Sequence, residues 1–247
     1  MEQFCEEIFK KLNIYERNSA KYTKCLCRGV EILISNKPEE KVRQVLLYFL
    51  INESGLFPNQ IHLKVEYNNL DVAIYRNEVD NDFKPCQPPM VIVEVKREEE
   101  NVLNHANQLW QYLKENRVKI GILFNGNETI VYKKNHQGDF VNNRLISVKE
   151  ISKLISQVAS QIEDDYSDFI RAKNGDIESF IYLIGKYGKH TLHKITFTLN
   201  SLCPSIIGCC FSYDEHYIYY DLYAKYSQNK RLYFKRCDFR KLISIVY

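Results

Sequence analysis

Between residues 36 and 55 the apolar positions Val42, Val45, Leu46, Phe49 and Leu50 recur three and four apart, the spacing that lays one stripe of a helix against a core. Pro38 in the first turn, Glu39 and Glu40 near the positive end of the helix dipole, and Gly55 after the last turn mark its limits. The period then drops to two. "IHLKVEY" (61–67) and "LDVAIYR" (70–76) read as strands, and Asn68 and Asn69 between them suit a tight hairpin. In "MVIVEVK" (90–96) Val91, Val93 and Val95 make one fully apolar face, as expected of a central strand. Helical spacing returns in 101–117 through Leu103, Ala106, Leu109, Trp110 and Leu113. Residues 118–134 then read as a buried strand, a turn at Asn125 and Gly126, and a returning strand.

With a short helix at 2–12 and a strand at 29–35 in front, this order predicts an α/β fold with an αβββαβ core. A strand reached through a helical crossover makes its sheet mixed and places helices on both faces. From Ile151 the pattern changes. Ile151, Leu154, Ile155, Val158, Ala159 and Ile162 form an amphipathic helix, the acidic "EDDYSD" comes next, and a second helix is expected at about 176–187. Beyond Lys194 the chain turns to short tyrosine-rich strands. The boundary is therefore expected near 150, with 1–150 as one domain and 151–247 as a C-terminal α+β region.

Composition changes this picture little. The chain has 247 residues, 45% of them hydrophobic, which supports a sizeable core, and its net charge of +3 means that any grip on a polyanion must come from a local patch. The start, "MEQFCEEIFKK", is acidic where a secretory signal would be basic, and no apolar run reaches membrane length, so a cytoplasmic protein is expected. The eight cysteines are scattered and read as reduced core residues. Cys203, Cys209, Cys210 and Cys237 lack the C-x2-C spacing of a zinc site, and His190 and His193 read as surface or core residues rather than ligands.

The chemistry sits in the strands. Alternation puts Glu94 and Lys96 on one face of their strand, an arrangement that a plain ion pair at a strand end also explains. The preceding strand adds Asp71, so three charged groups are offered to one spot. Two hard carboxylates are what Mg²⁺ takes from a protein while keeping positions open for water and phosphate oxygens, and a lysine beside them can orient the water that attacks phosphorus.

On these residues the chain resembles the PD-(D/E)xK nucleases, and more narrowly the nuclease domain at the N-terminus of type I restriction enzyme R subunits. "PEEKVRQVLLYFL" is similar to the opening helix of that family, "LDVAIY" to its Asp strand, "VIVEVK" to its Glu-x-Lys strand, "QLWQY" to its Gln-x-x-x-Tyr element and "GILFNG" to the next strand of that fold. The resemblance covers about 36–133 and implies a restriction-endonuclease-like core. It implies Asp71 and Glu94 as ligands of Mg²⁺, for which Mn²⁺ can substitute, the Val95 carbonyl as a third ligand, and Lys96 as the catalytic lysine. Gln108 and Tyr112, one helical turn apart, correspond to the pair that contacts nucleic acid. Glu39 or Glu40 would be the helical acid that supports the metal through water. Glu39 is preferred because it lies in line with Leu46 and Leu50, whereas Glu40 is expected to turn outward. The chain departs from R subunits in having no Gly-x4-Gly-Lys-Ser/Thr phosphate loop and no length for a helicase motor, and the residue before Asp71 is Leu70 where the family often has a basic or small one.

Residues 151–247 resemble no family. Tyr217, Tyr219, Tyr220, Tyr223 and Tyr226, together with Lys225, Lys230, Arg231, Lys235, Arg236, Arg240 and Lys241 against the single acid Asp238, fit either a surface that stacks bases and holds phosphates or a packed sheet. Alternating tyrosines favour the packed sheet and self-association. The sequence as a whole points to a Mg²⁺-dependent endonuclease acting on DNA in restriction or antiviral defence, with a homodimer supplying two sites for two strands. Two alternatives stand beside it: a nuclease-fold module that binds nucleic acid or regulates without turnover, and a nuclease subunit active only with a partner ATPase or sensor.

Overall fold

The computed structural model describes residues 2–77, 84–85, 88–135, 137–161, 166–183, 195–196, 210–221 and 231–239. The chain divides into two compact units, Met1–Asn77 with Pro88–Ile162, and Glu78–Gln87 with Glu163–Tyr247. The division thus falls a helical length after the boundary expected near 150.

The first unit opens with α1 (Glu2–Phe9) and a small antiparallel sheet of β1 (Ile14–Arg17), β2 (Ala20–Lys24) and β3 (Glu31–Leu33). Helix α2 (Pro38–Tyr48) comes next, with Pro38 in its first turn and Glu39 and Glu40 beside its N-terminal amides, and it ends in a wider π turn over Phe49–Glu53. The main sheet contains β4 (Ile61–Tyr67), β5 (Leu70–Arg76), β7 (Val91–Val95), β8 (Ile120–Phe124), β9 (Thr129–Lys134) and β10 (Phe140–Leu145), in the order β10-β9-β8-β7-β5-β4. Only β7 and β8 run parallel, joined by the crossover helix α3 (Ala106–Glu115). All other neighbours are antiparallel. The predicted αβββαβ order and mixed central sheet of an α/β fold are therefore present.

Alternation along the strands feeds two cores. Val72, Ile74, Val91, Val93, Val95, Ile122 and Phe124 pack with residues of α1 and α2 and of α4 (Val148–Gln161). Ala73, Ile92, Leu123 and Tyr132 pack on the other face with Leu109 and Leu113 of α3. Burying those two leucines contributes roughly 2 kcal/mol each. It also requires close approach: a Cβ on Gly121 of β8 would stand 2.8 Å from a methyl of Leu113 and 2.9 Å from one of Leu109. The placement of α4 explains the boundary. Ile151, Leu154, Ile155 and Ala159 belong to the first core, so their helix goes with the sheet rather than with the C-terminal unit.

In the second unit α5 (Tyr166–Lys173) and α6 (Ile177–Leu183) pair in sequence, and β12 (Cys210–Tyr213), β13 (Tyr217–Asp221) and β14 (Arg231–Lys235) form an antiparallel sheet. The short β6 (Lys84–Pro85) and β11 (Ile195–Thr196) pair with each other. Rings of Tyr217, Tyr219 and Tyr233 cluster with centroids 5.5–6.4 Å apart, and Tyr233 is 65% exposed. Tyr223, Tyr226, Lys225, Lys230, Arg240, Lys241, His190, His193, Cys203 and Cys209 lie outside the described residues. Cys237 is a free, exposed thiol. Among the described residues no helix is long and apolar enough to cross a membrane.

Candidate active site

The β4–β5 hairpin turns on Asn68 and Asn69, both at positive φ (52° and 63°), a conformation asparagine tolerates. Its pairing runs Ile61↔Arg76 to Val65↔Val72 and resumes at Tyr67↔Leu70, so Glu66 and Asp71 stand opposite each other. Glu66 is itself left-handed, at φ 49°. On the other side β5 pairs with β7 through Val72↔Val93, and one step further in that register Asp71 meets Glu94. Where the ladder stops, the Asp71 side chain continues it: the Val95 backbone N–H donates to Asp71 Oδ2 at 2.8 Å.

Around Glu94 the predicted residues come together. Lys96 Nζ donates to Glu94 Oε1 at 2.8 Å and to Gln108 Oε1 at 3.1 Å. Gln108 Nε2 donates to the same Glu94 oxygen at 2.7 Å and to the Tyr112 hydroxyl at 3.1 Å. The one-turn spacing of Gln108 and Tyr112 on α3 makes this possible, and α3 is held at the right height by its contact with Gly121. The other Glu94 oxygen, Oε2, is buried without a hydrogen-bond partner. Burial, and then the charge of Asp71, push the Glu94 carboxyl up to about 7, against the opposing pull of Lys96 and Arg43.

Around Asp71 the structure adds groups that the sequence pattern does not single out. Arg43 of α2, with its side chain 5% exposed, donates from Nη2 to Asp71 Oδ1 at 2.5 Å and from Nη1 to Glu40 at 2.5 Å and Glu66 at 2.8 Å. Arg28 pairs with the other oxygen of Glu66. Burial raises the Glu40 carboxyl above its ordinary value although Arg43 opposes it. Burial works the same way on Glu66, but there the hydrogen bond and charge of Arg43 prevail and its carboxyl lies below its ordinary value.

The expectation that Glu40 turns outward is corrected by this geometry. Glu40 is the buried acid, at 2%, and is joined to Asp71 through Arg43; Glu39 is partly exposed and faces Arg97 at 3.4 Å. The reason is that α2 is buried around most of its girth. Glu40, Arg43, Gln44 and Leu47 form a second inward stripe beside Val42, Val45 and Leu46. Charged residues usually mark the solvent face of a helix, and here they do not. The i,i+3 spacing of Glu40 and Arg43, and the hairpin that sets Glu66 across from Asp71, were the available signals.

The loop after Lys96 is also fixed. Lys96 N–H donates to Phe124 O at 2.9 Å, and buried Asn125 donates to the carbonyls of Glu98 and Glu100 while accepting from the N–H groups of Asn127 and Glu128. Gly126 beside it has φ 89°, which only glycine adopts readily.

A hard divalent cation fits this donor set. Asp71 and Glu94 are cross-strand neighbours, Glu94 Oε2 lacks a partner, and each Asp71 oxygen retains accepting capacity beyond its single hydrogen bond. Among the described residues no three His, Cys, Asp or Glu side chains are gathered to hold an ion, so the remaining ligands of such a cation would be backbone, water or phosphate oxygens.

Comparison with known proteins points to the same segment. Residues 38–146 match the family described as "Type I restriction enzyme R protein N terminus". No curated protein matches the chain. A solved fragment described as a putative HsdR subunit of a type I restriction enzyme from Vibrio vulnificus YJ016 is similar at 18% identity over 58% of this chain, with a TM-score of 0.31; the match spans 32% of that structure's length. The segment that builds the main sheet and carries Asp71, Glu94, Lys96, Gln108 and Tyr112 thus resembles the N-terminal nuclease domain of type I restriction enzyme R proteins.

Proposed function

We infer that the first unit is a divalent-cation-dependent nuclease that hydrolyses phosphodiester bonds in DNA, within a restriction or antiviral system. The observation that carries this reading is the division of labour on Glu94, the cross-strand neighbour of Asp71: Lys96 and Gln108 share one oxygen, and the other is buried without a hydrogen bond. A carboxylate left in that state is poorly satisfied unless something charged completes it.

Asp71 and Glu94 would hold the ion, Mg²⁺ or Mn²⁺, with the Val95 carbonyl as a further ligand. When bound it would supply a Lewis acid for the phosphoryl oxygen. Lys96, oriented by Glu94 and Gln108, would hold the attacking water or the phosphate oxygen through its ammonium hydrogen bonds. Gln108 and Tyr112 would contact the nucleic acid beside it. Water adds to phosphorus, the P–O bond to one sugar breaks, and the products are a phosphomonoester and a sugar hydroxyl. A homodimer would let two such sites cut opposite strands, and a partner ATPase or sensor subunit is the alternative source of DNA delivery.

The test incubates purified protein with supercoiled, linear and single-stranded DNA and with RNA, in Mg²⁺, Mn²⁺ or EDTA. DNA cleavage that requires the cation and disappears in Asp71→Ala and Glu94→Ala is expected. Cleavage of RNA alone, or activity that survives EDTA, would overturn the reading.

A further inference from the structure

Arg43 lies in the first unit, and the proposed chemistry does not use it. It is buried and bridges three carboxylates on three elements: Glu40 on α2, Glu66 on β4 and Asp71 on β5. Glu66 and Asp71 face each other across the hairpin, a juxtaposition of like charges that is unfavourable without a cation between them. Arg43 is that cation, and its contact with Asp71, at 2.5 Å from Oδ1, lies on a carboxylate that a divalent ion would need.

We propose that Arg43 is an internal counter-cation that competes with the divalent ion for Asp71 and so sets the affinity of the site. It holds Asp71 in position while no ion is bound, and as the ion enters, the guanidinium is left with Glu40 and Glu66, which already accept from its Nη1. Glu66 keeps Arg28 as a second partner, so the cluster remains charge-paired in both conditions. Arg43 is a positioning residue: at 5% side-chain exposure it is shielded from a phosphate chain. The inference rests on the cation-dependent reading above and adds to it a stated antagonist.

The experiment measures Mn²⁺ affinity by calorimetry, and unfolding temperature with and without Mn²⁺, in the full chain. Because Arg43→Gln alone strands Glu40 in the interior, the informative variant is the double change Glu40→Gln with Arg43→Gln, compared with Glu40→Gln alone. Relative to that single variant the double variant should bind Mn²⁺ at least about tenfold more tightly, and its unfolding temperature should rise more on adding Mn²⁺. Arg43→Lys, which keeps the charge, should stay within a few-fold of the parent. Unchanged or weaker Mn²⁺ binding in the folded double variant would overturn the competition and leave Arg43 with a packing role. A parent chain that binds no Mn²⁺ overturns the inference and the cation-dependent reading together.

Discussion

The two acids of the site are one strand apart, yet the fold treats them differently. Asp71 lies at the start of a hairpin strand and accepts one hydrogen bond on each oxygen, from Arg43 and from the Val95 N–H. Glu94 lies near the end of one of the two central strands, more deeply buried, with one oxygen accepting two hydrogen bonds and the other none. One half of the site is neutralised by a guanidinium that stays charged; the other holds a carboxyl that stands near 7. A cation binding as proposed would therefore meet a partner to displace on one side and a carboxylate oxygen without a hydrogen bond on the other.

The largest effects are expected on activity. Asp71→Ala and Glu94→Ala should each lower cleavage by at least roughly a thousandfold and remove the heat of Mn²⁺ binding. Retention of Mn²⁺ binding in both would remove the pair from the site. Lys96→Met should lose about a hundredfold in turnover and still bind Mn²⁺, because its partners are Glu94 and Gln108 and its charge serves the water or the phosphate. Full activity in this variant would strike it from the mechanism.

Stability sharpens the contrast, because the two isosteric amides should act with opposite sign. The Glu94 carboxyl is raised from 4.5 to about 7 in the folded chain, so its contribution is fully present below pH 4.5 and is lost as pH rises through 7. In EDTA the parent should lose up to about 3 kcal/mol across that window, and Glu94→Gln should be flatter and more stable at pH 8. Asp71→Asn instead removes a charged acceptor from Arg43 and should be less stable than the parent at pH 8 by about 1–2 kcal/mol. Urea unfolding at pH 5 and pH 8 reads all three, and a Glu94→Gln protein that keeps the parent's pH slope would refute the assignment.

Smaller effects are expected on the helix side. Gly121→Ala pushes α3 away from β8 and should destabilise by about 1–3 kcal/mol, seen in the same unfolding measurements. Tyr112→Phe deletes only the hydroxyl that accepts from Gln108, worth about 1 kcal/mol, and a roughly fivefold fall in cleavage at low DNA concentration is expected.

Much of this is readable in the letters. The hairpin at Asn68–Asn69, the apolar face of Val91, Val93 and Val95, and the helical return at Leu109 and Leu113 carry strong periods, and those elements form where the periods place them. The strands β1, β2 and β10 are hard to see because their residues are largely polar and exposed; in "FVNNRL" no position is buried. The compact units divide later than the boundary expected near 150 because an amphipathic helix shows that it has an apolar face but not which core receives it. For the same reason Glu40 and Arg43 look like solvent residues. A buried charge is legible only through its partner, and Asp71 and Glu66 are more than twenty residues away. A truncation intended to isolate the first unit should consequently end after Gln161, since ending at 150 discards Ile151, Leu154 and Ile155 from its core.

The parallel pairing of β7 with β8 has a kinetic consequence. The hairpins β4–β5 and β8–β9 close over short loops, whereas β7 must join both across longer separations, the one to β8 running through α3. Asp71 sits on one side of that seam, Glu94 on the seam itself, and Lys96 is oriented from α3. The expected order of assembly is hairpins first and seam last, so pulse-labelled amides of β7 should gain protection after those of β5 and β9. A chain still emerging from the ribosome would then hold its acids apart until the sheet is complete, and the cleavage proposed for this site would become possible only with the finished fold.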